Sequence, residues 1–185
     1  MAWRTPIFFC RMLHDRGVCR LGSPQSIAAV VTGGGDLIAQ GILESREELD
    51  RRRLLLAVLL GAAVDGFALQ RWYAWLHWRV RGQPTCDVFG RRLLLHHAVW
   101  APLAASIFVL TTASHPQPSQ KLRQELGGAV CAHWCVVGPA QIANAFLVPK
   151  PFQVLLANAC ALTWATVLSA LAHRPLAPSA PSMRT

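Results

Sequence analysis

Five apolar runs, at roughly 25–43, 54–76, 93–112, 128–148 and 153–172, alternate with short polar stretches that carry arginine. Each approaches the ~20 residues that an α-helix needs to cross a bilayer. The pattern predicts an all-α fold, a multi-span transmembrane helical bundle. The first run is the weakest, because "VVTGGGDLIAQGIL" contains three consecutive glycines and Asp36. Trp72, Tyr73, Trp75 and Trp78 gather at the end of the second run with Arg71, Arg79 and Arg81. Aromatic and basic residues in that mixture belong at a membrane–water boundary.

Composition strengthens the membrane reading. Of 185 residues, 53% are hydrophobic and only 15% charged, against about 25% charged in a soluble domain. The net charge of +9 raises nucleic acid as a partner, but the arginines sit in short clusters beside apolar runs. No long basic stripe is present, so direct nucleic-acid binding is not expected. Residues 1–23 read as a basic N-terminal segment: Arg4, Arg11, Arg16 and Arg20 face a single acid, Asp15. Arg-rich, acid-poor beginnings resemble mitochondrial targeting sequences. Residues 24–172 form the helical membrane domain, and 173–185 a disordered Pro/Ser-rich tail.

The six cysteines are scattered and form no CxxC. Cys131 and Cys135, four apart, share a helical face from which His133 points away. They read as small packed side chains rather than metal ligands, for which that face offers no further partner. No nucleophile–base pair, cofactor fingerprint or metal-ligand set emerges. The expectation is a protein that is not an enzyme and holds no cofactor and no metal.

Polar residues inside the runs are the candidates for function, since an acid within a span is costly unless buried against a partner. Asp36 follows Gly33, Gly34 and Gly35, and Asp65 stands beside Gly66 and four residues after Gly61. Glycines let helices approach closely, so both acids are expected in the bundle interior. His96 and His97 point about 100° apart on a helix, so one of them, His96 by choice, faces any given site. Gln141 and Asn144 are three apart and share a face. They read as polar glue between helices or as the lining of a solute path. Pro139 frees a carbonyl within the fourth run, and Pro149 and Pro151 end it.

In order along the chain, these features resemble the Mpv-seventeen / peroxisomal membrane protein (PMP-twenty-two) family. The resemblance runs from Pro24 through "GDLIAQ" (35–40), Asp50 with Arg51 and Arg53, Gly61, Gly66, and the pair Trp72-Tyr73. It continues with Pro102, with Trp134, Gln141, Asn144, Val148 and Pro149, and with Trp164, Leu168 and Ser169. The chain departs from the pattern at Phe67, Gln70, His96-His97, Val137-Gly138, Ala145 and Gln153, and so resembles a diverged member.

The resemblance implies about four spans plus a further apolar helix, 153–172, that does not cross. It makes Trp72, Tyr73, Pro102, Trp134, Pro149 and Trp164 structural signature residues. It also leaves Asp36, Asp65, His96, Gln141 and Asn144 as pore-lining or interhelical polar residues. Its implied location is the mitochondrial inner membrane, with the peroxisomal membrane as the alternative. The implied function is a channel for small solutes that supports nucleotide supply, mitochondrial DNA maintenance and reactive-oxygen balance. The other implied role is a non-channel scaffold or assembly factor for a mitochondrial complex such as the ribosome. The partners so implied are the lipid bilayer, a second copy of the chain, and the mitochondrial ribosome or another inner-membrane protein.

Overall fold

The computed structural model describes residues 23–82, 85–112 and 118–175. The basic segment read as a targeting sequence and the Pro/Ser-rich tail therefore lie outside the described residues, apart from Ser23 and residues 173–175. Five helices follow one another: α1 Pro24–Leu43, α2 Arg51–Arg79, α3 Cys86–Thr112, α4 Pro118–Phe146 and α5 Lys150–His173. All five are long and apolar enough to cross a membrane, and the described residues include no strand.

The helices begin earlier than the apolar runs because caps, not hydrophobicity, set their starts. Ser23 accepts the Ser26 amide (3.3 Å) ahead of Pro24 at the first helical position. Asp50 accepts the Arg53 amide (3.0 Å), and Thr85 the Val88 amide (3.4 Å). Each side chain satisfies one of the amides that a helix start leaves unpaired. Arg51, Arg52, Arg53, Arg91 and Arg92, outside the apolar runs, thus become helical. At the other end α5 continues through His173, one residue into the stretch read as tail.

Successive helices run antiparallel. Phe89 meets Phe146 edge-on (centroids 5.3 Å) at one end of the bundle, where α3 begins and α4 finishes. Helix α5 lies along the whole of α4. Gln153 reaches the Asn144 and Val148 carbonyls, the Cys160 thiol lies near the Val136 carbonyl, and Lys121 donates to the Arg174 carbonyl. The segment 153–172, expected not to cross, is thus packed into the bundle along its length. Ala165, Leu168, Ser169 and Ala172 give α5 a buried face, which packs against both α1 and α4.

Small residues allow that packing. A Cβ on Gly35 would fall 2.6 Å from Ala165 Cβ and 2.8 Å from the Thr166 amide nitrogen. One on Gly61 would fall 2.7 Å from the Ala28 carbonyl oxygen. The close approach expected of both glycine stretches is therefore present, between α1 and α5 and between α1 and α2. The large apolar side chains point outward instead: Leu55, Leu59, Trp78, Leu94 and Leu155 are all more than half exposed. Such a distribution suits a lipid surround, where apolar packing between helices brings no hydrophobic gain and close packing and hydrogen bonds hold the bundle.

Of three short π-helical stretches, Ala39–Leu43 ends α1, while Gly61–Ala68 and His96–Trp100 interrupt α2 and α3. Single turns of π-helix occur often at functional sites. Here they hold Gln40, Asp65 and the His96-His97 pair.

Candidate functional site

Asp36 on α1 is fully buried, and Arg53 on α2 is 2% exposed. Arg53 Nε donates to Asp36 Oδ1 at 2.6 Å. Its Nη1 and Nη2 grip Glu44 at 2.8 and 2.7 Å, and Nη2 also reaches Ser169 Oγ at 3.0 Å. Ser169 donates to Asp36 Oδ1, while Gln40 Nε2 donates to Oδ2 at 2.8 Å. Gln40 Oε1 in turn accepts the Asp50 amide at 2.8 Å. The planar guanidinium fork suits two carboxylates at once, and the side-chain amide and hydroxyl fill the remaining acceptor positions of Asp36. Helices α1, α2 and α5 are thereby locked together at one end of the bundle.

Glu44 lies just beyond α1. Burial pushes its carboxyl up, but the hydrogen bonds and charges of Arg53, then Arg46, outweigh burial and hold it below its ordinary value.

A second polar column runs along α4. Lys121, Glu125, Ala129 and His133 are spaced by four, and each is at most 5% exposed. Lys121 Nζ meets Glu125 Oε1 at 3.0 Å. His133 then packs against His97 (centroids 4.8 Å), His96 (6.0 Å) and Trp164 (4.8 Å). Trp134 lies edge-on to His97 at 4.9 Å, and Tyr73 stacks on His96 at 5.2 Å. His96 Nδ1, His97 Nε2 and His133 Nδ1 have no hydrogen-bond partner. An imidazole nitrogen so buried is costly without one. The three do not converge on an ion. Among the described residues no group of three or more His, Cys, Asp or Glu side chains is placed to hold a metal.

Between Glu125 and His133 the column is interrupted. Ala57, Ala105, Phe108, Val109, Ala129 and Leu168 form an apolar cluster, with Ala57, Val109 and Ala129 wholly buried. The interior therefore reads polar, apolar, polar from one end towards the middle.

The residues singled out in the sequence divide between these places. Asp36 and His96 are interior, as expected; His97, set aside in favour of its neighbour, is interior as well. Asp65 is not interior: it lies exposed on the outer side of α2 and accepts Thr32 Oγ1 at 3.2 Å. It is interhelical, but it also faces outward, because Gly61 and Gly66 rather than Asp65 occupy the buried face of that stretch. The amide glue expected of Gln141 and Asn144 is absent. Gln141 has no hydrogen-bond partner among the described residues, and Asn144 Oδ1 is buried without one. The link is supplied by Gln153, whose Nε2 donates to the Asn144 and Val148 carbonyls at 3.0 and 3.1 Å. From α5, Gln153 has the carbonyls freed at the end of α4 within reach.

Trp72 stacks on Trp75 and Trp100, at 5.0 and 5.7 Å. The carbonyl of Pro102 accepts Ser106 Oγ at 2.6 Å, and Pro149 starts α5. Cys131 and Cys135 are exposed rather than packed, since the α4 face holding His133 takes the interior.

Arg53, Gln40 and Ser169 were visible in the sequence as motif residues, but not as a single site. Lys121, Glu125 and His133 were missed. Their signal was the repeated multiple of four, hidden because the apolar run begins only at 128.

The chain is similar in sequence to known proteins. The model of the Mpv17 / PMP22 family matches residues 108–169. The human mitochondrial inner membrane protein Mpv17 is 29% identical over 154 residues, covering 80% of this chain and 87% of that protein. Protein SYM1 of Gibberella zeae is 29% identical over 168 residues, covering 87% and 95%. Protein SYM1 of Saccharomyces cerevisiae is 24% identical over 175 residues, covering 86% and 89%. No solved structure matches the chain significantly. The resemblance read from the motifs is thus borne out over most of the chain, and so is the mitochondrial inner-membrane location.

Proposed function

For an integral helical protein of the mitochondrial inner membrane that resembles the Mpv17 / PMP22 family, we propose a gated passage for small polar solutes rather than an enzyme. One observation carries the reading: buried ionisable side chains lie in the bundle interior and an apolar layer interrupts them. A lipid-embedded bundle needs no interior Lys121, Glu125, His133 or His97 to fold, and each costs stability unless a partner or water meets it. Apolar constrictions of this kind close pores by excluding water. The layer of Val109, Ala129 and Leu168 would be the closed gate, and the polar groups on either side would be the vestibule and binding region. The net charge of +9 favours anionic solutes, in keeping with a metabolite role.

The test is conductance of the purified full-length protein in planar bilayers. Val109→Thr keeps the shape of a wholly buried side chain while letting water wet the gate, so it should raise open probability above wild type. If both proteins are silent although correctly folded, the passage reading fails. The tight packing of Ala57, Val109 and Ala129 would then favour a non-conducting scaffold for a mitochondrial complex.

A further inference from the structure

Where α2 ends and α3 begins, Arg79, Val80, Arg81, Arg91, Leu94 and Leu95 line a surface depression. Three of these six are arginines. Arg79 has no partner among the described residues. Arg81 donates Nε to the Trp78 carbonyl (3.0 Å), and its guanidinium lies 5.7 Å above the Trp78 ring, so its other nitrogens are free to bind. Arg91 pairs with Asp87 through Nε and Nη2, each at 3.1 Å, but both side chains are about two-thirds exposed, where salt and a competing anion can open the pair.

The wall of the depression is fixed from behind. Arg92, only 9% exposed, donates Nε and Nη2 to the Val80 carbonyl at 3.3 and 2.7 Å, and its Nη1 is buried with no partner. Gly82 adopts φ +145°, a conformation that side chains resist, and so turns the chain tightly between the two helices. Asp87 is the one acid between residues 66 and 124 of the chain. Directly beside the arginines stand apolar groups: Trp78 is 62% exposed, Leu94 57% and Trp75 44%.

We propose that this depression binds a phosphate group, and that the phosphate is the headgroup phosphodiester of an anionic membrane lipid. Planar guanidinium forks match phosphate oxygens two at a time. Basic pockets between membrane helices on the anionic face of a bilayer are suited to such headgroups. The exposed Trp75, Trp78 and Leu94 would lie against the acyl chains, which a soluble phosphate compound lacks. The headgroup would brace the α2–α3 turn and leave the interior column untouched, so the site stands apart from the passage reading.

The experiment uses full-length protein purified in mild detergent and exchanged into phosphatidylcholine vesicles with or without phosphatidylglycerol. Bound lipid is counted by native mass spectrometry. Wild type should retain phosphatidylglycerol selectively, and the triple variant Arg79→Gln, Arg81→Gln, Arg91→Gln should lose roughly tenfold or more in retention. A charge-matched control, Arg51→Gln, Arg52→Gln, Arg123→Gln at the opposite end, should retain it. Thermal melts identify any variant that has simply unfolded, and for that case Arg79→Lys, Arg91→Lys keeps the charge without the fork and should weaken retention partially. Equal retention by the triple variant and wild type would overturn the site. Loss of the lipid on adding inorganic phosphate would overturn the lipid assignment and give the site to a soluble phosphate compound.

Discussion

Replacing Arg53 by Met tests whether the Asp36 network holds the bundle together. The substitution keeps the length and apolar stem of the side chain and removes every charge-assisted bond it makes. These are one to Asp36 at 2.6 Å, two to Glu44 at 2.8 and 2.7 Å, and one to Ser169 at 3.0 Å. Asp36 would remain fully buried with only Gln40 and Ser169 to satisfy its charge. Removing one partner of a buried ion pair costs about 3–5 kcal/mol. The two surviving hydrogen bonds place this case at the lower end, about 3 kcal/mol, or roughly a hundredfold in the folding equilibrium. Glu44 adds little to the loss, because its side chain is 20% exposed and water can take over.

The decisive measurement is the double variant Asp36→Leu, Arg53→Met. Both charges are then gone, and replacing a buried pair by apolar groups is often close to neutral. The double variant should therefore be more stable than Arg53→Met alone. Stability would be read from unfolding in mixed micelles, followed by tryptophan fluorescence and helical circular dichroism. A loss below about 1 kcal/mol for Arg53→Met, or a double variant equal to the sum of the singles, would refute the reasoning.

Glu44 is held below its ordinary value in the folded protein, so its contribution is present above the ordinary value and lost as pH falls through the folded one. Stability measured on acidifying below about pH 4 should decline more steeply for wild type than for Glu44→Gln. Gly35→Val should destabilise by about 3 kcal/mol or more, since its Cβ would meet the Thr166 backbone at 2.8 Å, which cannot turn aside. Near-normal melting would show that α1 and α5 are less closely apposed. Gln153→Leu should lower stability by about 1 kcal/mol through its bonds to the end of α4 and to the turn that follows it, while Gln141→Leu leaves it unchanged; the reverse order would restore Gln141 as the glue. Lipid-dissolved maleimide should label Cys131, Cys135 and an Asp65→Cys variant, and spare Asp36→Cys, as read by mass shift.

The helical, membrane-crossing character was fixed by local rules. An apolar run of about 20 residues has few other destinations, so the five runs became five helices, while the caps Asp50 and Thr85 emerged only with the structure. The glycines beside Asp36 marked a close approach correctly, because a missing Cβ has the same consequence in any fold that uses it. Which way a polar residue faces was another matter. Asp36 and Asp65 look alike in sequence, each beside glycine within an apolar run. Only the packing of α1 against α2 and α5 turned one inward onto Arg53 and left the other outside. Asp36, Arg53 and Ser169 come from three separate stretches, Ser169 standing 116 positions after Arg53. No spacing rule joins groups so far apart, because the contact exists only once the helices dock. Gln141 and Asn144 failed as glue for the same reason: a shared face says that two side chains point together, not what they meet. That was decided by where α5 came to rest, with Gln153 over the end of α4.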